Sequence, residues 1–163
     1  MKNSKNLYFN IIAILFLSIA NAQISKVEIR ATGLTCSMCS NAINKQLKSM
    51  PEVTNVATDL NTNTFTVSLK EDNNLTPKIF KDKVEKAGFF IGTLIVTTKS
   101  ETSIGANYIK VNTNDSKTVE VKFQVLDKGF VTDKEFKKLT KAYKSLSTYA
   151  DNNEDDFHIK FVN

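Results

Sequence analysis

Gly33-Leu34-Thr35-Cys36-Ser37-Met38-Cys39-Ser40 holds both cysteines of the chain, with two residues between them. The thiolate, not the thiol, is the metal ligand and the nucleophile. Two thiolates at this spacing can converge on one soft metal ion, or cycle between dithiol and disulfide. A purely structural bridge is the weaker use, because so short a loop restrains the unfolded chain very little. Structural zinc takes four ligands, whereas this chain has two cysteines and one histidine. Cu(I), content with two or three sulfur ligands, fits the pair better; Hg(II) also fits, and Ag(I) would bind as an opportunist.

The thiolates must be favoured by their surroundings. Val27, Ile29 and Ala31 alternate with polar residues and predict a strand that runs into Gly33. Cys39, Ile43, Leu47 and Met50 recur at helical spacing before Pro51. Cys36 therefore falls in the loop and Cys39 in the first helical turn. Unpaired N–H groups and the positive end of the helix dipole stabilise negative sulfur there. Ser37 and Ser40 bring hydroxyl donors to the same turn.

Downstream, Val53 through Leu60 predicts a second strand and Asn61-Thr62-Asn63 a turn. Phe65, Val67 and Leu69 form a third strand, closing a hairpin. Thr76-Pro77 opens a helix with an N-cap and a first-turn proline. Ile79, Phe80, Val84 and Ala87 form its apolar stripe, and Gly88 supplies its C-terminal glycine. Phe90 through Thr98 predicts a fourth strand. This order is the split βαβ pattern, an α+β fold with both helices on one face of a four-stranded antiparallel sheet.

Residues 99–106 are short, polar and include Gly105, which predicts a linker. Beyond it Ile109 and Val111 alternate, as do Val119, Val121, Phe123 and Val125. Thr132-Asp133-Lys134-Glu135 matches a capping box. It opens a helix with Phe136, Leu139, Tyr143 and Leu146 on one side and Lys137, Lys138, Lys141 and Lys144 elsewhere. Phe157, Ile159 and Phe161 predict a last strand. This small ββαβ unit, residues 107–163, has a thin core and is expected to pack against the first domain or a partner.

The motif and the element order together resemble the heavy-metal-associated domain family. Gly33-Leu34-Thr35-Cys36-Ser37-Met38-Cys39 is similar to its G-M-T-C-x-x-C signature, and the βαββαβ order spans residues 24–98. The family includes copper chaperones, modules of metal-pumping ATPases and periplasmic mercury-binding proteins. The resemblance implies a ferredoxin-like fold with Cys36 and Cys39 as the metal ligands. Leu34 replaces the usual methionine, a swap that conserves volume. Phe89 stands where relatives often carry tyrosine or lysine, so it can shield the metal but cannot donate a hydrogen bond. Thr35, not aspartate, precedes Cys36, which withholds the hard oxygen ligand of zinc and cadmium modules.

Four other features carry less. Met38 offers a thioether between the ligands, but is expected as an exposed spacer that touches a docking partner. His158 alternates with Phe157 and Ile159 and is expected to point outward, without a metal role. Asp151-Asn152-Asn153-Glu154-Asp155-Asp156 lacks the glycine and terminal glutamate of a calcium loop and is expected as a solvated turn. The lysine-rich helix face can meet anionic lipid or an acidic partner, although most such faces are only solvated.

At the N-terminus, Lys2 and Lys5 precede an apolar run from Leu7 to Ala20, followed by Ala20-Asn21-Ala22. This is the three-part pattern of a signal peptide, residues 1–22, too short to span a bilayer. The expected product is an exported, periplasmic protein consisting of a heavy-metal-associated domain (23–98), a linker (99–106) and the C-terminal unit (107–163). Cleavage removes two of the charges behind a net +5. What remains is spread along the chain, unlike a nucleic-acid-binding face.

The expected function is capture and transfer, or sequestration, of Cu(I). Its partner would be a metal-transporting membrane protein or another thiolate carrier, and no small-molecule substrate is expected. A single histidine remote in sequence from the cysteines gives no support to a catalytic Cys-His pair, so an enzyme is not expected. The alternatives are a thiol-disulfide oxidoreductase using the same two cysteines, or a Hg(II)-binding transport component.

Overall fold

The computed structural model describes residues 23–115, 118–151, 153 and 155–162. The expected signal segment, residues 1–22, lies outside them, as do Asn152 and Glu154 of the acidic turn. Seven strands form one sheet: β1 (Ile24–Thr32), β2 (Val53–Asp59), β3 (Thr64–Leu69), β4 (Phe90–Thr98), β5 (Tyr108–Lys110), β6 (Val121–Val125) and β7 (Phe157–Phe161). The helices are α1 (Ser37–Lys48), α2 (Pro77–Lys86), α3 (Asp133–Ala142) and the short α4 (Ser147–Asp151). Strand order across the sheet is β2-β3-β1-β4-β6-β7-β5.

The first four strands and two helices are the expected ferredoxin-like βαββαβ unit. Alternation along β1 buries Val27, Ile29 and Ala31, each aligned with an apolar neighbour. Val27 lies between Val67 and Val96, and Ile29 between Phe65 and Leu94. The buried stripes of α1 (Ile43, Leu47) and α2 (Phe80, Val84) join this apolar layer. Gly88 ends α2 at φ +89, a left-handed conformation that costs glycine nothing. Gly88 N–H bonds Glu85 O at 2.8 Å and Phe89 N–H bonds Val84 O at 3.2 Å, the paired bonds of a Schellman motif.

The boundary expected at residues 99–106 falls inside one continuous sheet. That segment holds a 3₁₀ turn, Glu101–Ser103, while β6 pairs antiparallel with β4 from Leu94↔Val125 to Thr98↔Val121. β4 would otherwise present an open edge of unpaired N–H and C=O groups. Because Leu94 and Val96 align with Val125 and Phe123, the apolar layer also runs through, and the buried residues of both units form one cluster. The thin C-terminal core is thus an extension of the first.

Two expectations for the C-terminal strands are corrected. β5 buries Tyr108 rather than Ile109 and Val111, because the Tyr108 ring fits between Phe123 (5.6 Å) and Phe157 (5.3 Å). Val119 lies before β6 and is 82% exposed.

His158 is a third correction: it is 2% exposed, not turned to solvent. Its side of β7 is covered by α4, where the Tyr149 ring meets the imidazole edge-on at 4.9 Å. Asp127 accepts both the His158 backbone N–H and, at Oδ1, a contact from Nδ1, each at 2.7 Å. Nε2 lies 3.0 Å from Thr148 Oγ1. Burial pushes the Asp127 carboxyl above its usual range, and the His158 hydrogen bonds oppose that shift.

His158→Ala leaves Asp127 Oδ1 without its imidazole partner while Oδ2 keeps the backbone N–H, a loss on the order of 2 kcal/mol. Because one core spans both units, urea denaturation of this variant should give a single transition at a lower midpoint. Far-UV circular dichroism and tyrosine fluorescence should coincide. Two separated transitions would contradict the shared core.

Candidate metal centre

The β1–β4 ladder ends at Thr32↔Phe90, so the loop leaving β1 and the turn entering β4 lie side by side. The β2–β3 hairpin reaches the same end, where Ala31 N–H bonds Asn63 O at 3.1 Å. Gly33 turns the chain at φ +84, a conformation a side chain would strain. A Cβ there would stand 3.9 Å from the ring of Phe89, which the Schellman turn holds against the loop. Leu34 packs on the core, as its volume allows, and Phe89 is half-buried beside it.

Cys36 is the N-cap of α1, with extended backbone, and its carbonyl accepts Cys39 N–H (3.1 Å) and Ser40 N–H (3.4 Å). Its side chain caps nothing. Both cysteines are free; Cys36 is exposed and Cys39 half-buried, with their sulfurs 2.9 Å apart. That separation is a hydrogen bond in which either sulfur can donate.

The Cys39 thiol is held below its ordinary value. The largest cause is the hydrogen bond with the Cys36 side chain, followed by that with the Thr35 backbone. Burial opposes this, and lesser contacts from the Cys36 backbone and the Thr35 side chain add to the lowering. Geometrically, Cys39 occupies the third helical position. In a capping box, that side chain reaches back to the N–H groups before the helix. Sulfur here takes the place of a carboxylate.

This role for Thr35 is the part that sequence reasoning missed, and the three-residue offset from the N-cap was the signal for it. The expected donors do not act on the sulfur: Ser37 is exposed and Ser40 is buried on the inner side of α1. Among the described residues no group of three His, Cys, Asp or Glu could hold a metal ion. Cys36 and Cys39 are brought together; His158 is remote and bonded to Asp127.

The rim of the site is apolar. Met38 is 80% exposed, as expected of a spacer. Leu60, in the hairpin, is 57% exposed, and Phe90, at the head of β4, 67%. Among the described residues, three of the four large exposed apolar side chains belong to segments at the thiol end.

Removing the sulfur that stabilises the Cys39 thiolate should raise its pKa. In Cys36→Ala, the pH profile of alkylation by iodoacetamide should therefore move to higher pH than for Cys39 in the wild-type chain. An unmoved profile would assign the shift to the backbone alone.

A family model for the heavy-metal-associated domain matches residues 28–90. No curated protein matches the chain. Among solved structures, the yeast copper transporter domain CCC2A, described in apo and Cu(I)-loaded states, is 36% identical, over 41% of this chain and 90% of that one, at a TM-score of 0.37. The N-terminal domain of a potential copper-translocating P-type ATPase from Bacillus subtilis, in its Cu(I)-loaded state, is 29% identical, over 40% and 81%, at a TM-score of 0.37. Through residues 28–90 the chain belongs to the heavy-metal-associated domain family.

Proposed function

We propose that this chain is an exported carrier that binds one Cu(I) between Cys36 and Cys39 and hands it to a second thiolate protein. The observation that carries the reading is the pair of free sulfurs 2.9 Å apart at a helix start, one of them already favoured as thiolate. Two sulfur donors suit a soft monovalent ion and underserve zinc. Binding as thiolates releases the protons that the sulfurs carry, so affinity rises with pH until both are deprotonated.

Transfer proceeds by ligand exchange. An incoming thiolate adds to the ion as a third ligand, then one of the original sulfurs leaves and recovers a proton. No substrate bond is made or broken, so the chain is not an enzyme in this reading. The exposed position of Cys36 allows the approach, and Met38, Leu60 and Phe90 offer apolar contact to the incoming protein. A membrane metal transporter or another thiolate carrier is the partner that fits this chemistry. Phe89, beside Gly33, limits water at the loop.

Anaerobic titration of the reduced chain with Cu(I), against a competing chelator, should give one ion per chain. Cys36→Ser or Cys39→Ser should weaken binding by more than about 100-fold, since a lost ligand costs more than a lost partner of a ligand. Insulin reduction without Cu(I) affinity would instead assign the pair to thiol-disulfide exchange, and a strong preference for Hg(II) would assign it to mercury.

Export has its own test. Material recovered from its native compartment should begin at Gln23 when its N-terminus is sequenced; an intact Met1 would rule out cleavage.

A further inference from the structure

The metal site leaves α3 without a role, and α3 has the least buried surface of the long helices. None of its residues is buried, whereas α1 and α2 each bury three. Phe136 faces the body of the protein, with its ring 5.7 Å from that of Tyr149, and Tyr143 follows at 5.6 Å from the same ring. On the opposite side stand Lys134, Lys137, Lys138 and Lys141, all exposed. Their spacing, i, i+3, i+4, i+7, puts all four on one helical face. Lys144, also exposed, extends the row past the helix end.

No salt bridge among the described residues engages this row. Among the described residues the ion pairs are Lys26–Glu28, Lys81–Glu85, Lys99–Glu71, Lys110–Glu101 and His158–Asp127, and none uses a lysine of α3. The helix's own acids, Asp133 and Glu135, sit in its first turn, where they complement the dipole and Glu135 N–H bonds the Thr132 cap. Along one flank runs a shallow trough of about 580 Å³ lined by Lys128, Asp133, Phe136, Lys137, Thr140 and Lys141. Lys137 and Lys141 of the row thus share this trough with Lys128 and with the Asp133 carboxylate.

We propose that α3 is the face by which this chain lies on an anionic phospholipid surface. Its lysine row meets headgroup phosphates, and the aliphatic stems of the same lysines meet the interface beneath them. Rows of four or more lysines on an amphipathic helix have the charge density for this, at a strength set by ionic strength. The basic groups are all lysine. A hydrated point charge suits mobile phosphates, whereas planar forks suit a fixed carboxylate on a protein partner. Among the described residues no helix is long and apolar enough to cross a membrane, so the association is peripheral.

The placement matters for delivery. The Thr132 cap of α3 lies 3.6 Å from where a Cβ on Gly92 would stand, and Thr32 crowds the same point. α3 therefore starts beside the end of the sheet that carries the thiols.

The test is co-sedimentation of the full chain with vesicles of phosphatidylcholine alone or with 30% phosphatidylglycerol, a composition of roughly physiological surface charge. The reading is the ratio of the two partition coefficients, compared between variants that all share Lys2, Lys5 and the apolar stretch between Leu7 and Ala20. Wild type should favour the anionic vesicles by about tenfold or more at low salt and lose that preference at 0.5 M salt, roughly where screening is complete over a few ångströms. K137E/K141E should lose it at low salt, with its circular dichroism unchanged. K45E/K48E on α1 carries the same net charge and should keep it, as should Cys36→Ser, which separates this proposal from the metal reading.

Equal losses in the two double variants would show that net charge alone acts, and overturn the proposal. Salt-sensitive binding to immobilised polyglutamate, with no preference between vesicles, would assign the face to an acidic protein and overturn it as well.

Discussion

β4 is hydrogen-bonded along both edges, and most of the molecule depends on that. On one side its ladder with β1 runs nearly its whole length and ends at Thr32↔Phe90. That last pair sets the Gly33–Cys36 loop next to the turn at Gly88 and Phe89. On the other side β4 carries β6, and through it the C-terminal third of the chain. A strand paired this way cannot slip by one residue without turning Val96 and Leu94 out of the core. The distance between the metal loop and its aromatic neighbour is therefore fixed by backbone register.

The site itself is economical in its means. Cys36 gives up any capping role of its side chain, and Cys39 takes over the return contact that a carboxylate would make in a capping box. One local device thus starts the helix and favours a sulfur anion. It leaves Cys36 exposed and Cys39 half-buried, with Met38 exposed between them. Burying the pair would have raised the thiols' pKa and closed the path for exchange.

The C-terminal unit is built differently. Its interior is aromatic, with Tyr108, Phe123, Phe130 and Phe157 in contact, and on the far side of β7 it keeps a polar knot of Asp127, His158 and Thr148. Such a knot is costly if any partner is missing, and it fixes α4 on the sheet with all its members bonded. α3, by contrast, is held chiefly by rings at one side. That difference leaves its lysine face entirely available.

Local pattern alone was enough for the first unit. The cysteine spacing, the alternation of Val27, Ile29 and Ala31, the proline at 77 and the glycine at 88 each act through neighbours a few residues away, and each appears where expected. The pairing of β6 with β4 was not legible, because an edge strand's partner is chosen by contacts far apart in sequence. The burial of His158 was hidden for the same reason: alternation names the two sides of β7, but only the return of α4 over one side decides that His158 does not face water, while Lys160 on the same side does. Tyr108 displaced Ile109 from the core because two phenylalanine rings, distant in the chain, had shaped a space for it. Sequence determined the two thiols and the turn that holds them; the tertiary structure decided what lies beside them and how far one core extends, since only folding brings those distant groups into contact.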